Sequence, residues 1–277
     1  MGAAPDTLRA LKVQLAALER PAAFDASQIF SFGLATVDDP LGGGLDRAAM
    51  HEVFAQSPAD AAAAAGFALG LALRAAGEGR IVWVRQDFAD LEAGRLDALG
   101  LAQLGLDPAR LVLVRAKDGT DVLRAGAEAA RCAALGAVLI EPWGAPKVLD
   151  LNASRRLSLI AAASRVTTLM VRIAAAPMPS AAASRWSVAA LASRPLEANA
   201  PGFPAFAISL LRHRAGVPPR QWRVEWDRDD TRFKDGTFRN GALDGRHQPA
   251  AAPLPGRLAA FPAGGPVEEA LPLRRAG

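Results

Sequence analysis

The chain has 277 residues, of which 51% are hydrophobic and 22% charged, and its formal net charge is +4. This composition is typical of a globular protein with a substantial core, and the mild positive charge is compatible with nucleic-acid contact without establishing it. The longest apolar run, Ala61–Ala76, is interrupted by glycine and arginine, and the N-terminus shows no signal-peptide hydrophobic region. The single cysteine, Cys132, excludes an internal disulfide. We therefore expect a cytoplasmic protein without a membrane span.

The first 25 residues are predicted to form a helical arm. A leucine stripe at helical spacing marks its apolar face, formed by Leu8, Leu11, Leu15 and Leu18. Pro21 ends the helix. This face either packs on the chain's own core or mediates self-association, and the sequence favours neither alternative.

Residues 26–230 are predicted to form one α/β domain. Strands are expected at Met50–Ala55, Arg80–Arg85, Leu111–Val114, Ala137–Ile140 and Thr167–Ile173. Helices are expected at Ala61–Ala76, Ala89–Leu101, Asp118–Ala134 and Leu151–Arg165. Because strands and helices alternate, the pattern predicts a mainly parallel, twisted sheet flanked by helices.

The pattern changes after Ala174, where three strand-like segments follow without helices between them: Arg185–Ala192, Ala205–Arg212 and Arg220–Trp226. These predict antiparallel strands at the C-terminal side of the sheet. Residues 231–277 contain many prolines and little hydrophobic periodicity, so they are predicted to form a disordered tail.

The segment Thr36–Gly66 has the layout of a phosphate-binding loop, with a glycine-rich turn, a strand, a loop and a helix. A working loop of this kind follows the pattern G-x-x-x-x-G-K-[ST], in which the lysine contacts phosphate and the hydroxyl contacts Mg²⁺. The corresponding positions here have neither a glycine nor a lysine and include Gln56, Ser57, Pro58, Asp60 and Ala61. The loop is therefore predicted to be degenerate.

The order of these segments resembles the RecA-like core. The resemblance rests on Gly33–Asp38, the Leu41–Leu45 glycine turn, Trp83–Leu91 and the Leu139-Ile140-Glu141 strand end. It implies that Glu141 stands where the Walker B aspartate would hold Mg²⁺. It also implies that Asp87 stands near the catalytic glutamate. Since several parts of the nucleotide site differ together, we expect no ATP hydrolysis, no cofactor and no resident metal.

Within the RecA-like proteins, the degenerate loop and the proline-rich tail resemble the ImuA family, the inducible mutagenesis protein A of bacteria. That resemblance implies a non-catalytic accessory role in the DNA-damage (SOS) response, in mutagenic translesion synthesis and DNA repair. The implied partners are an ImuB-like Y-family polymerase homologue and an error-prone DNA polymerase, with RecA as a further candidate. The alternative is a SulA-like inhibitor of cell division that binds FtsZ.

Basic residues supply the candidate DNA contacts. Arg155 and Arg156 open a predicted helix, and Arg185 and Trp186 follow a small-residue loop. Arginine binds phosphate and an aromatic ring can stack on a base, but exposed arginines and a core tryptophan explain the same residues. The histidines are far apart in the sequence, which predicts no metal site.

Overall fold

A nine-stranded mixed sheet forms the centre of the computed structural model, which describes residues 28–200 and 202–236. The predicted arm with its leucine stripe, and the tail beyond residue 236, lie outside the described residues. Numbered along the chain and taken in their order across the sheet, its strands are β11 Arg232–Asp235, β10 Arg220–Asp227, β9 Ala205–His213, β8 Ser184–Leu191, β3 Met50–Ala55, β7 Thr167–Arg172, β6 Leu135–Glu141, β4 Arg80–Gln86 and β5 Leu111–Ala116. The six strands from β8 across the sheet to β5 pair in parallel. Strands β8, β9 and β10 each pair antiparallel with the next strand in the chain. The mixed α/β fold with a mostly parallel sheet is confirmed.

A small separate antiparallel sheet pairs β1 Ile29–Phe30 with β2 Leu45–Asp46. The α-helices are α1 Ala35–Asp38, α2 Ala61–Ala76, α3 Asp87–Glu92, α4 Ala98–Gln103, α5 Gly119–Arg131 and α6 Leu151–Ser164.

The two faces of the sheet are covered by different helices. On the α2 face, alternate strand residues such as Val53 and Leu139 pack against the alanine-rich helix α2. On the α5/α6 face, their neighbours Met50 and Val138 pack against helices α5 and α6. The helical segment Pro58–Ala76 is long and apolar enough to cross a membrane, but 67% of its most apolar window is buried inside the domain. It is therefore packed as a core helix.

The predicted helix Ala89–Leu101 is wrong, because the structure has the two short helices α3 and α4 in its place. Gly94 breaks the segment with a φ of +81°, a value that side chains other than glycine rarely adopt. Asp97 then begins α4 as an N-cap, since its carboxylate accepts a hydrogen bond from the Gly100 backbone N–H at 2.8 Å.

The folded part also extends beyond residue 230, into the segment 231–277 that was predicted to be a disordered tail. Strand β11 pairs with β10, and Phe233 on it is fully buried, with its ring centroid 4.9 Å from that of Trp226. A strand of four residues with one apolar side chain is too short to produce a periodic signal.

Candidate functional site

The glycine-rich turn at residues 42–44 serves the fold, because it allows a close approach of two backbone segments. Gly44 has a φ of +143°, and a Cβ atom there would lie 2.2 Å from the carbonyl oxygen of Phe30. The carboxylate of Asp38 accepts hydrogen bonds from the backbone N–H groups of Phe32 at 2.7 Å and Leu34 at 3.0 Å. Gly44 allows the close approach of β2 to β1, and the Asp38 carboxylate pairs with backbone N–H groups of the segment after β1.

The loop that follows β3 is capped by its own aspartate. Asp60 accepts hydrogen bonds from the backbone N–H of Ser57 at 3.1 Å and from the Ser57 hydroxyl at 2.6 Å. Its other carboxylate oxygen accepts a hydrogen bond from the backbone N–H of Ala190, in strand β8, at 2.8 Å. The negative charge therefore lies at the start of helix α2, where a phosphate-binding loop would hold its phosphate.

The backbone donors of this loop are directed into the protein. The N–H of Gln56 bonds to the carbonyl of Val188 at 2.8 Å, and the N–H of Asp60 bonds to the carbonyl of Ser57 at 3.0 Å. Pro58 has no N–H group to offer. Because a phosphate cradle needs several converging free N–H groups, this loop does not fit a nucleotide phosphate.

Glu141 ends strand β6 on the α2 face, and its carboxylate is engaged by two strand β4 residues. It accepts hydrogen bonds from Arg85 Nε at 3.0 Å and from Trp83 Nε1 at 2.8 Å, and it is fully buried. Burial raises the pKa of Glu141, and the facing guanidinium of Arg85 offsets part of that rise. A Walker B carboxylate has to face a hydrated Mg²⁺, whereas this one is held by an internal cation.

Arg85 connects Glu141 to the segment that follows β4. Its guanidinium forms a salt bridge with Asp90 and donates hydrogen bonds to the carbonyl oxygens of Gly94 at 2.7 Å and Ala89 at 3.3 Å. These bonds fix helix α3 and the turn after it against the end of the sheet. Asp87, placed by the resemblance near the catalytic glutamate, instead pairs with Arg115 on the edge strand β5 at 3.0 Å.

A second buried ionic cluster lies on the α5/α6 face, and the sequence analysis missed it. Glu52 on β3 lies 3.0 Å from Arg185 on β8 and 3.6 Å from Arg172 on β7. Burial lowers the pKa of Arg172, and the nearby Glu52 carboxylate opposes this effect. The sequence did carry a signal for this cluster, since each of the three charged residues lies within an apolar strand segment. A buried ion pair is expected when two such strands are neighbours in the sheet.

The structure does not bring the four candidate DNA-contacting residues together. Arg155 and Arg156 are exposed on helix α6. Arg185 is held by Glu52 and by the Ser180 hydroxyl, to which its Nη2 donates at 2.8 Å. Trp186 lies on the opposite face of β8 from Arg185 and is fully buried, so it would have to leave the core to stack on a base.

His51 is a core histidine. Its Nδ1 lies 2.8 Å from the hydroxyl of Ser184, and its Nε2 lies 2.8 Å from the carbonyl oxygen of Asp46. These partners fit a neutral imidazole that donates from Nε2 and accepts at Nδ1, and burial lowers the pKa of His51 to about 4. Within residues 28–200 and 202–236, no group of three or more histidine, cysteine, aspartate or glutamate side chains could hold a metal ion.

The carboxyl ends of the central strands, where α/β proteins commonly bind ligands, thus carry the capped loop after β3 and the Arg85–Glu141 cluster. Their charged groups are neutralised within the chain, and the residues do not fit Mg²⁺-ATP. No protein-family model matches the sequence, and no curated protein matches it.

Proposed function

We propose that this protein is a RecA-like adaptor of the ImuA type, which assembles other proteins and performs no nucleotide chemistry. The observation that carries the proposal is the position of Asp60, whose carboxylate takes two backbone hydrogen bonds at the start of helix α2. A nucleotide phosphate at the same place would meet this negative charge and would find the N–H groups of Gln56, Ser57 and Asp60 already bonded.

The topology supports the RecA-like part of the proposal. Strand β3 lies inside the sheet, between β7 and β8, and leads through the capped loop into helix α2. This strand–loop–helix unit is the place of a phosphate-binding loop in a nucleotide-binding fold. A scaffold of this layout whose loop is satisfied internally is well suited to presenting outer surfaces to partners.

The pathway follows from the family resemblance. The protein would act in damage-induced mutagenic DNA synthesis with an ImuB-like Y-family polymerase homologue and an error-prone DNA polymerase, and RecA is a further candidate. Residues 1–25 would contribute a self-association face through their leucine stripe. Deleting them should then lower the mass measured by light scattering, whereas an unchanged mass would assign the arm to the chain's own core.

Nucleotide binding is tested by titrating the full chain with a fluorescent ATP analogue and Mg²⁺, with a functional RecA-type ATPase as the positive control. We expect no saturable binding and no phosphate release. Micromolar binding would contradict the adaptor proposal, and turnover that is lost on changing Glu141 or Asp87 would establish an enzyme.

The partners are tested by co-purification of the tagged full chain from damage-induced cells of its source bacterium, with uninduced cells as the control. Recovery of a Y-family homologue together with a replicative-type polymerase is the expected result. Recovery of FtsZ in their place would favour the division-inhibitor alternative.

A further inference from the structure

A groove of about 390 Å³ lies between helices α5 and α6. Its apolar lining comes from both helices and includes Leu123, Ala127, Ala153, Leu157 and Ile160. Ala127 on α5 and Ala153 on α6 have short side chains, which fill little of the space between the two helices. No described residue outside α5, α6 and the Val148 segment lines this groove.

The packing of helix α5 explains why the groove stays shallow and open. Gly126 faces the sheet, and a Cβ atom there would lie 2.6 Å from Ile140 Cδ1. Gly126 therefore allows helix α5 to approach strand β6 closely, and the next residue, Ala127, lines the groove. Val148, at the groove, remains 44% exposed.

The rim of the groove is basic. Three guanidinium groups, of Arg124, Arg131 and Arg156, face one carboxylate, that of Glu128. Arg131 pairs with Glu128, and Arg124 lies 3.6 Å from the exposed Asp121. Arg156 makes no ion pair with any described residue. Three arginines thus face two carboxylates along the groove, and the arginine without an ion pair among the described residues, Arg156, lies on the α6 side.

We propose that this α5–α6 groove binds an amphipathic helix of a partner protein, whose apolar stripe carries leucine-like side chains and whose flanks carry carboxylates. Apolar residues at i and i+4 on such a helix would follow the floor formed by Leu123 and Ala127 on one side and Leu157 on the other. Glutamates beside that stripe would lie near Arg124 and Arg156. The inference deepens the adaptor function and rests on it, because it names the surface that a partner would use.

A second copy of the chain fits this groove less well. A two-fold contact would place the same surface on both sides and bring the arginine rims together, which is electrostatically unfavourable. Nucleic acid would satisfy the arginines but would leave the apolar floor without a partner. Charge complementarity together with the floor thus favours an acidic amphipathic segment.

The test uses the full chain and labelled designed peptides longer than about 15 residues, so that the isolated helices are stable. The first peptide carries leucines four residues apart, flanked by glutamates. In the second, lysines replace the glutamates, and in the third, serines replace the leucines. Fluorescence anisotropy should show saturable binding of the first peptide alone, and this binding should weaken as ionic strength rises.

Two arginine substitutions give a matched comparison on the protein. Arg156→Glu, which reverses a charge on the groove, should weaken binding of the first peptide by about tenfold. Arg155→Glu reverses the neighbouring exposed charge, which does not line the groove, and should leave the affinity nearly unchanged. Thermal melts of both variants check that the fold is intact.

Absence of saturable binding, or equal effects of the two substitutions, would overturn the proposal. Self-association of the chain that is lost only in Arg156→Glu would assign the groove to a second copy. Binding of labelled single-stranded DNA that is lost only in this variant would assign it to nucleic acid. Each of these results is distinct from a failure of the adaptor function, which ATP binding and turnover would reveal.

Discussion

The carboxylate of Asp60 accepts a hydrogen bond from the backbone N–H of Ala190 at 2.8 Å, across the boundary between the loop after β3 and strand β8. The same carboxylate caps the turn that precedes helix α2 through both donors of Ser57. One side chain thus joins a loop, a helix and a neighbouring strand. The residue that places a negative charge at the start of helix α2 therefore also stabilises the fold.

We expect Asp60→Ala to lower the free energy of unfolding by about 2 kcal/mol, because it removes a cap and leaves backbone donors unpaired. Urea unfolding measures this loss. Asp97→Ala is the matched control, since Asp97 is an N-cap with a single bond to Gly100, and its loss should be about 1 kcal/mol. Equal losses in the two variants would show that the bond to Ala190 contributes nothing.

Glu141→Ala should destabilise the domain by about 3 kcal/mol, because it removes one of the two carboxylates that pair with the buried Arg85 and leaves the Trp83 indole N–H without its acceptor. The double variant with Arg85→Met and Glu141→Leu should recover part of this loss, since both buried charges are removed and Asp90 keeps its ion pair with Arg115 at 3.1 Å. Chemical denaturation compares both with Glu128→Ala, which removes an exposed pair. A single variant as mild as Glu128→Ala would contradict the role given to the buried pair.

Stability should fall as pH decreases from about 6.5 to 4. His51 has a folded-state pKa of about 4, below its ordinary value of 6.5, so over this range the unfolded chain binds a proton that the folded chain does not. The contribution of His51 is complete above pH 6.5 and decreases by about 3 kcal/mol by pH 4. It is measured by urea unfolding across this range.

The control for the pH dependence is His51→Gln, in which the slope of stability against pH should be smaller. Burial also lowers the pKa of His213, so part of the slope should remain in this variant. An identical slope in wild type and His51→Gln would refute the assignment.

Two glycines one turn apart on helix α2 should respond oppositely to alanine. At Gly66 a Cβ atom would lie 3.6 Å from Phe206 Cζ, an ordinary contact, so Gly66→Ala should stabilise by about 0.5–1 kcal/mol through helix propensity. At Gly70 it would lie 2.8 Å from Phe233 Cζ and 2.9 Å from Trp226 Cε3. Gly70→Ala should therefore destabilise by about 1–3 kcal/mol, measured by thermal unfolding. Stabilisation by both would show that β10 and β11 pack less tightly on α2.

The central part of the fold was predictable because its strands are short apolar runs and its helices repeat apolar residues at helical spacing. Strand β6 and helix α2 carry these signals clearly. The break at Gly94 and strand β11 were missed, since each depends on one or two residues. Their effect comes from backbone conformation or from a distant partner such as Trp226.

The sequence shows which phosphate-loop residues are missing, but the bonds that the loop forms instead were not predictable. The bonds from Asp60 to Ala190 and from Arg85 to Glu141 join residues 130 and 56 positions apart in the chain. Nothing in local spacing indicates such pairs. The two ionic clusters become visible only when the order of the strands is known.

On the adaptor proposal, the Arg85–Glu141 pair and the Asp60 cap also bear on how a complex with a partner protein would dissociate. RecA-like ATPases end their encounters by a chemical cycle, in which a bound nucleotide is hydrolysed and the complex then dissociates. A domain whose Glu141 carboxylate is paired with its own Arg85, and whose loop is capped by its own Asp60, would have no such cycle. On the adaptor proposal, the lifetime of a complex is set by affinity and concentration, so a cell would end the assembly by dilution, by a competing partner or by degradation of a component.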